Sequence, residues 1–152
     1  MNFKGKNQSV ENDSMKFETI SKYMARKVIT FSPDQPISSA IDTMLEERIS
    51  GGPVLNAKEE LVGILSEKDC LKIILDRAYH NHPNQKNTVK EYMSTGIITV
   101  DINSNVVEIA DKFLSCSYRR FPVLEKGKLK GQVSRRDIMR ATRDLKSTSW
   151  KK

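Results

Sequence analysis

Residues 63–69 read GILSEKD and residues 131–137 read GQVSRRD. Both segments carry Gly, a branched apolar residue, Ser, two charged residues and Asp in one order. A serine with an acid three residues on, ahead of an apolar-periodic run, is a capping box. The hydroxyl accepts a first-turn N–H, and the acid reaches back to the serine N–H. The same geometry sets a hydroxyl beside free N–H groups at the positive end of a helix dipole, which suits an anion. The carboxylate one turn in can take two hydrogen bonds from a vicinal diol. Cap and ligand contact are both open readings and can coexist. Repetition alone does not choose, because duplication copies a cap as readily as a site.

Sliding the chain on itself by about 69 residues extends the match in both directions. KYMARKVITF (22–31) falls on EYMSTGIITV (91–100), and PISSAIDTMLEERISGGPVL (36–55) falls on NVVEIADKFLSCSYRRFPVL (105–124). After one deleted residue, LVGILSEKDCLKI (61–73) falls on LKGQVSRRDIMRA (129–141). An ordered ladder of this length marks a tandem duplication.

Each copy predicts the same elements. VITF or IITV is a short extended run, and SPDQP or DINSN turns the chain into a helix. In the first copy Ile37, Ala40, Ile41, Met44 and Leu45 recur at helical spacing; in the second, Val106, Ile109, Ala110, Phe113 and Leu114 do. Each set predicts one buried face. Two hairpins follow, the second turning at Gly127. A second helix starts at Ser66 or Ser134, with Leu71, Ile74 and Leu75, or Ile138, Met139 and Thr142, as its apolar positions. A short helix is expected over 17–25. The unit is strand–helix–strand–strand–helix. Two such units packed about a pseudo-two-fold axis, each covering the other's apolar surface, give one α+β module. The expected organisation is a flexible tail over 1–15, the pair over 16–147 (repeats at about 18–78 and 88–145) and a C-terminal tail over 148–152.

Composition narrows the function classes. The 152 residues include 26 Lys and Arg against 19 Asp and Glu, a net charge of +7 that favours an anionic partner. No apolar run reaches the ~20 residues that span a bilayer, so no membrane association is expected. The N-terminus lacks a signal-like apolar stretch, and the expected compartment is the cytoplasm. Cys70 and Cys116 sit at apolar-periodic positions and are expected as buried free thiols. His80 and His82 lie in a polar loop, read as a solvated connection rather than a metal site. No Ser/His/acid or Cys/His arrangement and no Walker-type loop appears, so the chain does not read as an enzyme.

The repeat ITFSPD…GGPVLN…LVGILSEKDCL resembles a CBS motif, named after cystathionine β-synthase. Two in tandem resemble a CBS domain pair, or Bateman module, over about residues 18–145. The second copy departs from the first with Gln132 in place of Ile64. The resemblance implies a regulatory module that needs no cofactor, binds adenosine nucleotides or related adenosyl ligands in two clefts between the repeats, forms a homodimer and regulates a partner protein. It implies that each cleft takes Ser and Asp from one repeat and most other groups from the other. Carried over, one cleft combines Ser66 and Asp69 with Thr95, Gly96, Ile98, Arg119, Arg120 and Pro122. The other combines Ser134 and Asp137 with Ala25, Lys27, Ile29, Ser50, Gly51 and Pro53. Lys68, Arg135 and Arg136, between the Ser and Asp positions, are candidate phosphate contacts. The repeats differ before Pro-Val, with SGG in one and RRF in the other. Arg119 and Arg120 offer planar donor forks suited to phosphate, which predicts stronger phosphate binding in the first cleft.

Two other classes compete. Arg136, Arg140 and Arg143 recur at about helical spacing, as a nucleic-acid-binding helix would place them, although aromatic residues are not interleaved with them. A docking module with empty clefts is the third reading.

Overall fold

The computed structural model describes residues 17–79 and 87–149, with side chains through 145. The expected N-terminal tail and the His80/His82 loop lie outside the described residues. In chain order the elements are α1 (Ile20–Lys22, a single 3-10 turn), α2 (Ile37–Glu47), β1 (Gly51–Leu55), β2 (Leu61–Ser66), α3 (Glu67–Tyr79), α4 (Val89–Tyr92), β3 (Val100–Asp101), α5 (Val106–Leu114), β4 (Arg120–Glu125), β5 (Lys128–Ser134) and α6 (Arg135–Ser149).

Local chemistry explains the elements. Asn105 caps α5 by accepting the Glu108 N–H at 2.9 Å, and Val106, Ile109 and Phe113 then fall on one buried stripe. In α2 the equivalent stripe is Ile37, Ala40 and Met44. β1 and β2 pair antiparallel with Gly51 opposite Ser66; β4 and β5 do the same with Arg120 opposite Ser134. Lys126 and Gly127 turn the second hairpin with φ of 51° and 78°, the two positive values that a two-residue turn of this kind requires. β3 pairs parallel with β4, whereas its counterpart in the first repeat shrinks to one parallel bridge, Phe31 to Val54. The second repeat thus has a three-stranded sheet and the first a two-stranded one.

The two repeats exchange their leading segments. Ile20, Tyr23 and Met24 open repeat one, yet they pack in one core with Phe113, Phe121 and Val133 of repeat two. Val89 and Tyr92 open repeat two and pack with Phe31, Val54 and Leu65 of repeat one. Backbone pairs seal both crossings: Ala25 with Gln132, and Ile64 with Ser94, each through two N–H···O bonds of 2.9 Å. This reciprocity is what a pseudo-two-fold axis produces. It also explains the motif glycines. A Cβ on Gly131 would lie 2.2 Å from the Ala25 carbonyl oxygen, and one on Gly63 would lie 2.4 Å from Met93 Sδ. The exchange of Ile64 for Gln132 is tolerated because the crossing is paired through backbone.

Several expected burials are corrected. Leu45 and Leu114 were expected on the buried faces, but they are 72% and 88% exposed. Leu71, Ile74, Leu75, Met139 and Thr142 are also exposed. The ridge of α3 that meets its sheet is Asp69 and Ile73, and that of α6 is Asp137 and Ala141, each at i and i+4. Apolar periodicity reports a stripe without saying which neighbour covers it. Cys70 and Cys116 are free and half-buried rather than buried. The helix expected over 17–25 is reduced to the three residues of α1.

Candidate functional site

Both Ser-x-x-Asp segments form the reciprocal cap. Ser66 N donates to Asp69 Oδ2 at 3.0 Å, and Asp69 N donates to Ser66 Oγ at 3.2 Å. Ser134 N donates to Asp137 Oδ2 at 2.8 Å, and Asp137 N donates to Ser134 Oγ at 3.1 Å. Asp69 and Asp137 are 4% and 9% exposed as residues, so each is buried at a helix N-terminus with its first carboxylate oxygen spent on the cap. Burial raises the Cys70 thiol pKa above its usual value, and the neighbouring Asp69 and Glu67 charges add to the effect.

The crossings bring the other repeat to each cap. Ser94 pairs with Ile64, two residues before Ser66, which carries Thr95 and Gly96 to the same edge. Ala25 pairs with Gln132, two residues before Ser134, and carries Lys27 in the same way. Thr95, Gly96, Ala25 and Lys27 are exposed; Ile29 and Ile98 are half-buried, each packed against the core of its own repeat. Tyr118 Oη donates to the Gly96 carbonyl at 3.3 Å.

The segments ahead of Pro53 and Pro122 meet. Arg120 Nη2 donates to Ser50 Oγ at 2.7 Å, a bond spanning 70 positions of chain. Ser50 O accepts from Glu67 N at 2.9 Å, and Arg119 O accepts from Arg135 N at 3.1 Å. Each pre-proline segment thus holds the start of its own repeat's second helix. The Arg120 guanidinium, from repeat two, stands by the start of α3, beside Ser50, a residue assigned to the other cleft. Pro53 and Pro122 are buried, whereas Arg119, Lys68, Arg135 and Arg136 are exposed.

Sequence reasoning missed the partners of the second carboxylate oxygens. Ser94 Oγ donates to Asp69 Oδ1 at 3.0 Å, and Lys72 Nζ lies 3.4 Å from the same atom. Arg140 Nη2 lies 2.8 Å from Asp137 Oδ1 and also donates to the Tyr23 carbonyl at 2.8 Å. The i,i+3 spacing of Asp69 and Lys72, and of Asp137 and Arg140, was a readable signal. Ser94 comes from the crossing and left no local trace. Arg140, the middle member of the basic stripe, is thereby tied inward.

An apolar groove of about 610 Å³ opens between α2 and α3, lined by Ile41, Met44, Leu45, Ile49, Leu71 and Ile74 among others, with Ser50 and Glu67 at its edge. Among the described residues no helix is long and apolar enough to cross a membrane, and no cluster of His, Cys, Asp or Glu suits a metal ion.

Two α+β repeats with exchanged leading segments and a capped Ser-x-x-Asp at each crossing define a paired-repeat module. The chain belongs to the CBS domain family, whose profile matches residues 20–76 and 89–144. The crystal structure of CBSX2 in complex with AMP aligns with a TM-score of 0.74 at 24% identity, covering 84% of this chain and 98% of that one; CBSX2 is a CBS-pair protein from Arabidopsis thaliana. The CBS domain pair of protein MJ0100, in complex with 5-methylthioadenosine and S-adenosyl-L-methionine, aligns with a TM-score of 0.70 at 22% identity, covering 85% and 98%. An uncharacterized protein of Methanocaldococcus jannaschii is 24% identical over 123 residues, 81% of this chain but 42% of that protein. At these identities the structural likeness is one of fold.

Proposed function

We propose that the chain is a regulatory module that binds an adenosine nucleotide or related adenosyl ligand between its two CBS repeats and reports occupancy to a partner protein through the conformation of a homodimer. The observation that carries this reading is the double crossing. It makes each Ser-x-x-Asp edge composite, with an anion-suited helix start from one repeat and extended backbone from the other. Ser66 or Ser134 takes phosphate in this reading, Asp69 or Asp137 takes the ribose diol, and the crossing segment flanks adenine. Arg120, set by the start of α3, adds a charged fork for phosphate. The AMP bound by CBSX2 and the adenosyl compounds bound by MJ0100 support the ligand class. The exposed apolar side chains of α2 and α3 support the homodimer. In this reading the chain is not itself a catalyst and works in the cytoplasm, with the nucleotide pool.

Thermal melting with adenosine, AMP, ADP, ATP, 5-methylthioadenosine and S-adenosylmethionine, and with GMP as control, tests the reading. An adenosyl ligand at about 100 times its dissociation constant adds about 2.7 kcal/mol, or roughly 5–10 °C for a chain of this size. Arg120→Ala weakens AMP about tenfold and leaves adenosine unchanged. No shift with any adenosyl compound contradicts the reading.

A further inference from the structure

Resting on that adenosyl reading, we propose that the two clefts are unequal because Arg140 plugs the diol position of Asp137, whereas the diol position of Asp69 is held by an exchangeable hydroxyl and a solvent-exposed lysine, so that each chain binds one ligand. Both carboxylates are buried, so an incoming diol must displace an internal partner. At Asp69 the partner on Oδ1 is Ser94 Oγ at 3.0 Å, and a ribose hydroxyl replaces it bond for bond. Lys72, the other neighbour of Oδ1, is 3.4 Å away on a side chain 58% exposed, free to swing toward phosphate or water.

At Asp137 the exchange is unlike for like. One guanidinium nitrogen of Arg140 bridges Oδ1 and the Tyr23 carbonyl, both at 2.8 Å. A diol arriving there must break a charge-assisted bond and strip the Tyr23 carbonyl of its donor, leaving two buried acceptors to satisfy instead of one. Tyr23 cannot follow the arginine away, because its hydroxyl is bonded to Asp144 on the same helix. The asymmetry comes from two paired positions: Ser94 aligns with Ala25, which has no hydroxyl to offer, and Lys72 aligns with Arg140, whose longer fork reaches both acceptors.

Calorimetry with AMP on the full chain reads this directly. Wild type is expected to bind about one AMP per chain, and Asp69→Asn to abolish it. Removing the competing hydroxyl in Ser94→Ala tightens binding about fivefold. Arg140→Met keeps the apolar stem, frees Asp137 and adds a second AMP per chain; Arg140→Lys, which cannot bridge both acceptors, adds a weaker second site and serves if the methionine variant does not fold. Two AMP per wild-type chain, a single site in a folded Arg140 variant, or weaker binding in Ser94→Ala overturns the plug while leaving the adenosyl reading standing. No heat with AMP or any adenosyl compound, in wild type and variants alike, overturns both.

Discussion

Tyr23 shows how single residues tie this module together. Its backbone carbonyl accepts from Arg140 and its hydroxyl donates to Asp144, both on α6, so one residue of the first crossing is held through backbone and side chain by repeat two. Tyr92 repeats half of the grip, donating to Asp76 on α3 at 3.3 Å. Burial, then the Asp144 hydrogen bond, pushes the Tyr23 pKa from 10.0 up to about 12. The folded state therefore prefers the neutral phenol. Its contribution to stability is whole below pH 10, where the unfolded chain still holds the proton, and is lost as pH rises from 10 toward 12. Denaturant melts over that range should show stability falling, and Tyr23→Phe should flatten that loss; an unchanged slope in the variant would refute the grip. Asp144 is held below its usual 3.8 by the same bond, so its contribution is present above that value and fades as pH falls below it. The cap was legible at this scale, because Ser66 and Asp69 are three residues apart. Ser94 and the Tyr23 contacts were not, because the groups meet only after the chain has crossed between repeats.

At the scale of elements, α2 and α3 carry apolar side chains beyond those used inside the chain. α3 turns Asp69 and Ile73 to its sheet and leaves Leu71, Ile74 and Leu75 outside, and Leu71 and Ile74 line one groove with Leu45 of α2. Helical periodicity made these positions legible as apolar, but a period of 3.6 cannot say whether the cover is the same chain or another. The strands behaved differently. Both hairpins followed from the Pro-Val runs and the turn residues, whereas VITF, read as a strand, makes only the single parallel bridge from Phe31 to Val54. If the outer stripe of α2 and α3 is the homodimer face, a doubly charged variant, Leu71→Glu with Ile74→Glu, should run as a single chain in light scattering and keep its far-UV circular dichroism. Wild type should have twice that mass. A wild-type chain that is already monomeric at tens of micromolar would remove the dimer from the account.

For the whole molecule, the duplication was readable across residues 22–73 and 91–141, and with it the α+β class. The exchange of leading segments was not, because no local pattern distinguishes a segment that stays with its own repeat from one that crosses. Gly63 and Gly131 carried the trace: each is a glycine because the opposite segment lies on it. That crossing makes the two Ser-x-x-Asp edges composite, and the proposed function depends on it. It also supplies a route from occupancy to shape. In the proposed reading, displacing Ser94 from Asp69 would loosen one end of the segment that joins the two cores, and a bound adenosyl ligand and an empty cleft would favour different arrangements of the repeats. The most direct measurement is a crystal structure of the chain grown with AMP. The account predicts ribose hydroxyls within hydrogen-bonding distance of Asp69, Ser94 withdrawn from that carboxylate, and the phosphate between Ser66 and Arg120. AMP bound away from both Ser-x-x-Asp edges, with the Ser94–Asp69 bond intact, would contradict it.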